Sequence, residues 1–363
     1  YEIIKCDWSS DVCSSDLHTA SYNRETLTAF IPSSVLGKEA KLGLLSLHRL
    51  MQLDKEELNT YTIAQLEEYI EGKTVAFGAK EKLPNDERTL IVRDNYYNFS
   101  DAYYGNNDIM GPTPNHGTHV SGIIAASRNN GIGIDGVADA VKIMMIRVVP
   151  DGDEYDKDIA LGIRYAVDNG AKVINGSFGK PFSPHKQWVY DAIKYAEKKD
   201  VLIVHAAGND AKDIDYNDNY PNDSDDKVTE FADNLITVGA LNYEYGNKVV
   251  ARFSNIGKIN VDVFAPGVKI YASTPNNTYK LLQGTSMASP NVAGVAALIR
   301  SYYPKLSAKQ VKHILMDSGV GIESDVIVGG KPADSRPFSA LSKSGKMVNA
   351  YNALQMAEKM SKK

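Results

Sequence analysis

The chain has 363 residues, 43% hydrophobic and 23% charged, the composition of a globular protein with room for one large α/β domain or two ordinary ones. Its formal charge of −5 offers nucleic acid no positive field, which argues against such a partner. No uninterrupted apolar run approaches the roughly 20 residues of a membrane-spanning helix, and the N-terminus lacks the apolar core of a signal peptide.

Residues 1–17 hold both cysteines, Cys6 and Cys13, and show neither helical nor strand periodicity. From Asp7 to Leu17 they match without a gap the translation of a widely used sequencing-library adapter. The expectation is that 1–17 are not part of the protein and that the cysteines form neither a redox pair nor a metal site. From His18 to about Glu87 the text is polar and helical in pattern. Leu44, Leu47, Leu50, Met51 and Leu58 recur at helical spacing. Thr62 to Gln65 has the form of a capping box, Ile63, Leu66 and Ile70 share one face, and Gly72 suits the stop. Nothing there carries chemistry, so 18–88 reads as an accessory helical segment.

After Pro84-Asn85 short apolar runs read as buried parallel strands: Leu90-Ile91-Val92, Val141 to Met144, Val173-Ile174, Val201 to Val204 and Leu235 to Val238. Helical patterns, Asp158 to Asn169 and His185 to Lys198, separate several of them. That alternation predicts an α/β fold of three layers, a mostly parallel central sheet with helices on both faces. Functional groups then gather on loops at the carboxyl ends of the strands.

Three motifs carry chemistry. His116-Gly117-Thr118-His119-Val120-Ser121-Gly122 enters a helix, where His116 suits a general base, a metal ligand or a structural role. Its spacing to His119 is i,i+3, not the i,i+4 with an adjacent Glu of the helical zinc motif. Val204-His205-Ala206-Ala207-Gly208-Asn209 is a strand ending in small residues and an amide. Asn209 either turns the chain or donates to a developing oxyanion; His205, inside the run, reads as a core histidine. Gly284-Thr285-Ser286-Met287-Ala288-Ser289-Pro290 precedes Val292, Val295, Leu298 and Ile299 at helical spacing. Ser286 thus sits at a helix start, where free N–H groups favour negative charge. It is either a cap or a nucleophile whose own N–H holds an oxyanion.

Together these motifs resemble those of the subtilisin-like serine peptidases, the subtilases. "VINGSF", "FSNIG" and "VDVFAPGVKIYAS" agree as well, and the resemblance runs from about Thr89 to the closing "GKMVNAYNAL". It implies that His116 is the general base, Ser286 the nucleophile of an acyl-enzyme, and Asn209 with the Ser286 N–H the oxyanion hole. It implies that Ser177, Phe178 and Gly179 pair with substrate backbone as an added strand, Phe178 shaping a pocket. Protein or peptide substrates follow, with no required cofactor, and so does a secreted or cell-envelope location.

The resemblance also implies a carboxylate orienting His116, placed before it in the order Asp, His, Ser. The family pattern, an apolar strand ending in Asp, then Ser or Thr, then Gly, does not precede His116. Asp94 follows an apolar run but is flanked by Arg93, Asn95 and Tyr96. The only Asp-Ser-Gly, Asp317-Ser318-Gly319, closes a helix begun by the capping box Ser307 to Gln310, downstream of Ser286. Some subtilases carry a helical insertion between their Asp and His motifs, and 18–88 resembles the tail of one. The expectation is a truncated subtilase in which 89–363 form the catalytic domain without its Asp-bearing strand. Two acidic loops, Asp151 to Asp158 and Asp213 to Asp226, raise structural calcium; neither has EF-hand spacing, and both read as solvated loops. Two further readings stay open: a catalytically dead binding module, and a zinc hydrolase using His116 and His119.

Overall fold

The computed structural model describes residues 23–32, 34–50, 88–111, 114–149 and 154–362. The chain divides into two compact units, 1–90 and 91–363. In the first, helix α1 (Arg24–Ala29) starts at Asn23, whose side chain accepts the Thr26 N–H while Thr26 answers with its hydroxyl. Helix α2 (Val35–Leu50) follows, and Leu27 is buried against Leu44 and Leu45. The expected capping box at Thr62 and the stop at Gly72 lie outside the described residues, as do 1–17.

The second unit is built on a four-stranded sheet of β1 (Val173–Gly176), β2 (Leu202–Ala206), β3 (Leu235–Leu241) and β4 (Val263–Pro266), in that order and all parallel. β2 and β3 are buried along their whole length, which is why they read as unbroken apolar runs. Alternate residues of β2 face opposite layers. Leu202 and Val204 join the core made with helices α6 (Thr285–Tyr302), α7 (Ala308–Asp317) and α8 (Ala350–Ser361). Val201 and Ile203 join the core made with α4 (Asp156–Asp168) and α5 (Lys186–Lys198). The three-layer expectation holds. Helix α3 (Asn115–Ala125) packs through Val120 and Ile123 against Met287 of α6 and Ala272 of the hairpin β5 (Ile270–Thr274) and β6 (Thr278–Leu282). A second hairpin, β7 (Asp325–Val328) and β8 (Lys331–Pro337), adds Val326 and Val328 to a third core.

Two predicted strands are not strands. Arg88–Val92 is a short π-helical turn, with Leu90 67% and Ile91 73% exposed. Residues 141–149 take no regular structure, and Ile143 and Met144 are exposed. In both cases apolar content suggested a strand. A strand also needs a neighbouring strand to form a ladder, and neither run is laddered with another strand among the described residues. No helix among the described residues is long and apolar enough to cross a membrane.

Ile236 is fully buried on β3, facing α6 and α7. Ile236→Ala should cost about 2–5 kcal/mol by lost burial and a residual cavity, read as a lower urea midpoint at unchanged slope.

Candidate active site

Helix α6 begins at Gly284 in a turn that needs glycine, with φ at 149°. Gly284 has no side chain with which to cap the helix, and the first turn is satisfied from β2 instead. Asn209, three residues past the end of β2, accepts the Thr285 N–H at 2.8 Å and the Thr285 hydroxyl at 3.0 Å through Oδ1. Thr285 Oγ1 in turn accepts the Gly208 N–H at 3.1 Å. A Cβ built on Gly284 would stand 3.5 Å from Asn209 Nδ2, 3.6 Å from the Ser286 nitrogen and 3.7 Å from Asn209 Oδ1. The Asn209 amide and the Ser286 nitrogen therefore border one small space over Gly284.

The segment after β1 meets the same turn. Ser286 Oγ donates to the Ser177 carbonyl at 3.2 Å, and Ser177 Oγ donates to the Ser286 carbonyl at 2.8 Å. Asn175 donates to Ser177 Oγ at 2.9 Å and accepts the Ser289 hydroxyl at 2.7 Å, one turn further along α6. Phe178 packs on the core under α4 and α5, its carbonyl 2.7 Å from Nε2 of His205. Gly179 is exposed, and its N–H reaches Glu154 Oε1 at 3.3 Å. Ser286, Ser177 and Asn209 are thus brought together from three elements far apart in sequence.

His116 lies in the first turn of α3, the helix that packs on the start of α6 through Val120 and Met287. Although the residue is exposed at the surface, desolvation by the surrounding chain, reinforced by His119, draws its pKa below the ordinary 6.5, which favours the neutral imidazole able to accept a proton. Among the described residues no hydrogen bond joins His116 to Ser286 or to a carboxylate. His119 is fully buried, its Nε2 3.1 Å from the carbonyls of both Ile270 and Lys280. It staples α3 to the β5–β6 hairpin and does not form a two-histidine metal pair with His116.

Of the two aspartates that bear on a third member, Asp94 is engaged by a lysine and Asp317 lies at the end of a helix downstream of Ser286. Asp94 is fully buried in an ion pair with Lys157 at 2.6 Å, and Lys157 also donates to the Asn95 carbonyl and lies over the Tyr104 ring. Asp317 ends α7, whose predicted capping box at Ser307 and Gln310 is present. Its carbonyl is held by Lys346, while Asn352 holds that of Ser318.

The acidic loops are likewise occupied where described; 151–153 lie outside. Tyr155, not Asp156, is the residue before α4. Asp156 is buried, accepting from the Ser183 hydroxyl and the His185 N–H and pairing with Lys180 at 2.7 Å. Asp215 accepts the N–H groups of Ile259 and Asn260. Hydrogen bonds from the N–H groups of Thr229 and Val228 hold Asp226 down to about 2. No group of three or more His, Cys, Asp or Glu able to hold a metal occurs among the described residues.

Sequence reading passed over Asn255, Thr285, Asn175 and Ser289. Asn255 is buried and spans the Asn209 loop: its Oδ1 accepts the N–H groups of Asp210 and Lys212, and its Nδ2 donates to the Ala207 carbonyl. The available signal was an amide inside "FSNIG", an otherwise compact stretch in which a polar residue must find partners.

A family model described as "Subtilase family" matches residues 55–343. Subtilisin DY of Bacillus licheniformis is 39% identical over 216 residues, covering 59% of this chain and 73% of the relative. A thermophilic serine proteinase of Bacillus sp. (strain AK1) is 41% identical over 206 residues, covering 56% and 46%. The major intracellular serine protease of Bacillus subtilis (strain 168) is 36% identical, covering 56% and 61%. The chain thus spans between about half and three quarters of these relatives. Among solved structures, a protease of Pseudoalteromonas arctica PAMC 21717 superposes with a TM-score of 0.54 at 31% identity, over 67% of this chain and 70% of that one. The prenylagaramide maturation protease PagA gives 0.51 at 26%, over 67% and 82%.

Asp94→Asn would leave the buried Lys157 ammonium without its counter-charge, at a cost of about 3–5 kcal/mol. Urea unfolding should show that loss, while the His116 imidazole titrates where it does in the parent chain by NMR.

Proposed function

The chain belongs to the subtilase family, and on that premise we propose that it hydrolyses peptide bonds of proteins as a serine endopeptidase through an acyl-enzyme on Ser286. The observation that supports the proposal is that the Asn209 amide and the Ser286 nitrogen border one space over Gly284, at the turn that bears the Ser286 hydroxyl. That is the arrangement an oxyanion needs, with its donors fixed before charge develops. Ser286 Oγ turns from the Ser177 carbonyl towards His116, which takes its proton as Oγ adds to the scissile carbonyl carbon. The oxygen of that carbonyl becomes the oxyanion. His116 then gives the proton to the departing amine, and water repeats the sequence on the acyl-enzyme. Ser177 bonds directly to Ser286, and with Phe178 and Gly179 it is proposed to pair with a substrate strand. The reaction draws on no cofactor.

Asp94 is engaged by Lys157, and among the described residues no hydrogen bond joins a carboxylate to His116, which supports the reading that the orienting aspartate is absent. Slow turnover is therefore expected from the chain as it stands. In subtilisin itself, loss of the aspartate alone costs about 3 × 10⁴ in kcat. The likeness to subtilisin DY supports a place outside the cytoplasm and the likeness to an intracellular serine protease one inside it; we favour the former, and cell fractionation tests this.

A fluorophosphonate probe should label the chain at Ser286, with both labelling and casein hydrolysis gone in Ser286→Ala. A module that binds peptides without cutting them would stay unlabelled. Asn209→Leu should lower kcat by about 10²–10³, the figure for loss of subtilisin's own asparagine donor. The acid limb of kcat/KM should have its midpoint below pH 6.5, because desolvation favours neutral His116 and only that form accepts the Ser286 proton.

A further inference from the structure

We propose that His205 is a positioning residue for the substrate-binding segment, holding the Phe178 carbonyl from inside the sheet and so setting the course of Ser177 to Gly179. The inference rests on the peptidase reading above, since it assigns His205 a part in binding peptide.

His205 sits on β2 among Leu202, Ile203, Val204 and Ala206, and is buried as deeply as they are. An imidazole in a buried strand is costly unless it is hydrogen-bonded. Its partner is the Phe178 carbonyl, 2.7 Å from Nε2. A carbonyl only accepts, so Nε2 carries the hydrogen, and Nδ1 is bare, buried and without a partner among the described residues. One hydrogen bond is what the ring makes, and it goes to the middle of the segment.

The surroundings make room for that bond. His205 is paired in register with Gly176. A Cβ on Gly176 would stand 3.6 Å from the His205 ring, and one on Gly179 3.7 Å from Nε2. The ring lies between the two glycines that flank Ser177 and Phe178. Beyond Gly176 the β1–β2 ladder has ended, so no strand neighbour takes the Phe178 carbonyl. The segment is tied at one end by Ser177 to Ser286. At the other, Lys180 exchanges two backbone hydrogen bonds with Tyr220, at 3.0 and 2.9 Å. His205 supplies the tie between them. With it in place the segment is held along its length before a peptide arrives, which would lower the ordering cost of binding.

The test uses the full chain with Ser286→Ala, so that peptide is bound and not cut, and reads fluorescence anisotropy of a fluorescein-labelled β-casein peptide. Adding His205→Phe should raise Kd roughly tenfold, the scale of one lost hydrogen bond and its ordering. His205→Gln, which keeps an N–H donor, should bring Kd back to within about threefold of the parent, a rescue that a filler of space would not give. Nitrogen-detected NMR of the histidine rings should show His205 as the Nε2–H form. An Nδ1–H form, or equal Kd for parent and His205→Phe, overturns the proposal. Failure of the parent to bind the peptide would instead bring down the peptidase reading, and this role with it, and the ring tautomer would still report the bond.

Discussion

A helix that starts on glycine has no cap of its own, and the whole site follows from how α6 obtains one. The orphan N–H of Thr285 is met by the Asn209 side chain, which must turn its oxygen inward to do so. One hydrogen bond therefore caps the helix and fixes the Asn209 amide at the turn that bears Ser286. It works only if Asn209 itself is held, and Asn255 holds its loop through three backbone groups.

The parallel sheet brings these parts within reach. β1 and β2 run in the same direction and end at the same side, so the Ser177 segment and the Asn209 loop emerge together. Helix α6 packs across β2, β3 and β4 through Ala288, Val292 and Val295, and its first turn is delivered to that same edge. Position is thus set by burial of apolar surface, and the polar contacts refine it.

Charge in the interior is a separate matter from chemistry. Lys312 is buried among Asp223, Glu230 and Asp233. Burial pushes Asp223 up to about 7, Lys312 drawing it partly back. Asp94 with Lys157 and Asp156 with Lys180 are built the same way. Each pair answers the cost of desolvating a charge inside the fold, and none bears on Ser286 or His116. A carboxylate upstream of His116 is therefore not a triad member by position alone.

The sequence by itself determined the layers and pointed to the candidate site residues. Runs such as Val201 to Val204 declare burial on both faces, and a glycine before a periodic helix declares where Ser286 must lie. It misread Leu90 to Val92 and Val141 to Met144, because apolar content says nothing of whether a neighbouring strand exists to complete a ladder. It also passed over Asn255, Thr285 and the His205–Phe178 bond. These depend on which loops end up adjacent, and hydrogen-bond partners 27 to 77 residues apart leave no local pattern. Tertiary structure alone decided that Asp94 belongs to Lys157 and that Asn209 faces Thr285, because a polar group's role is set by the partner that folding puts beside it.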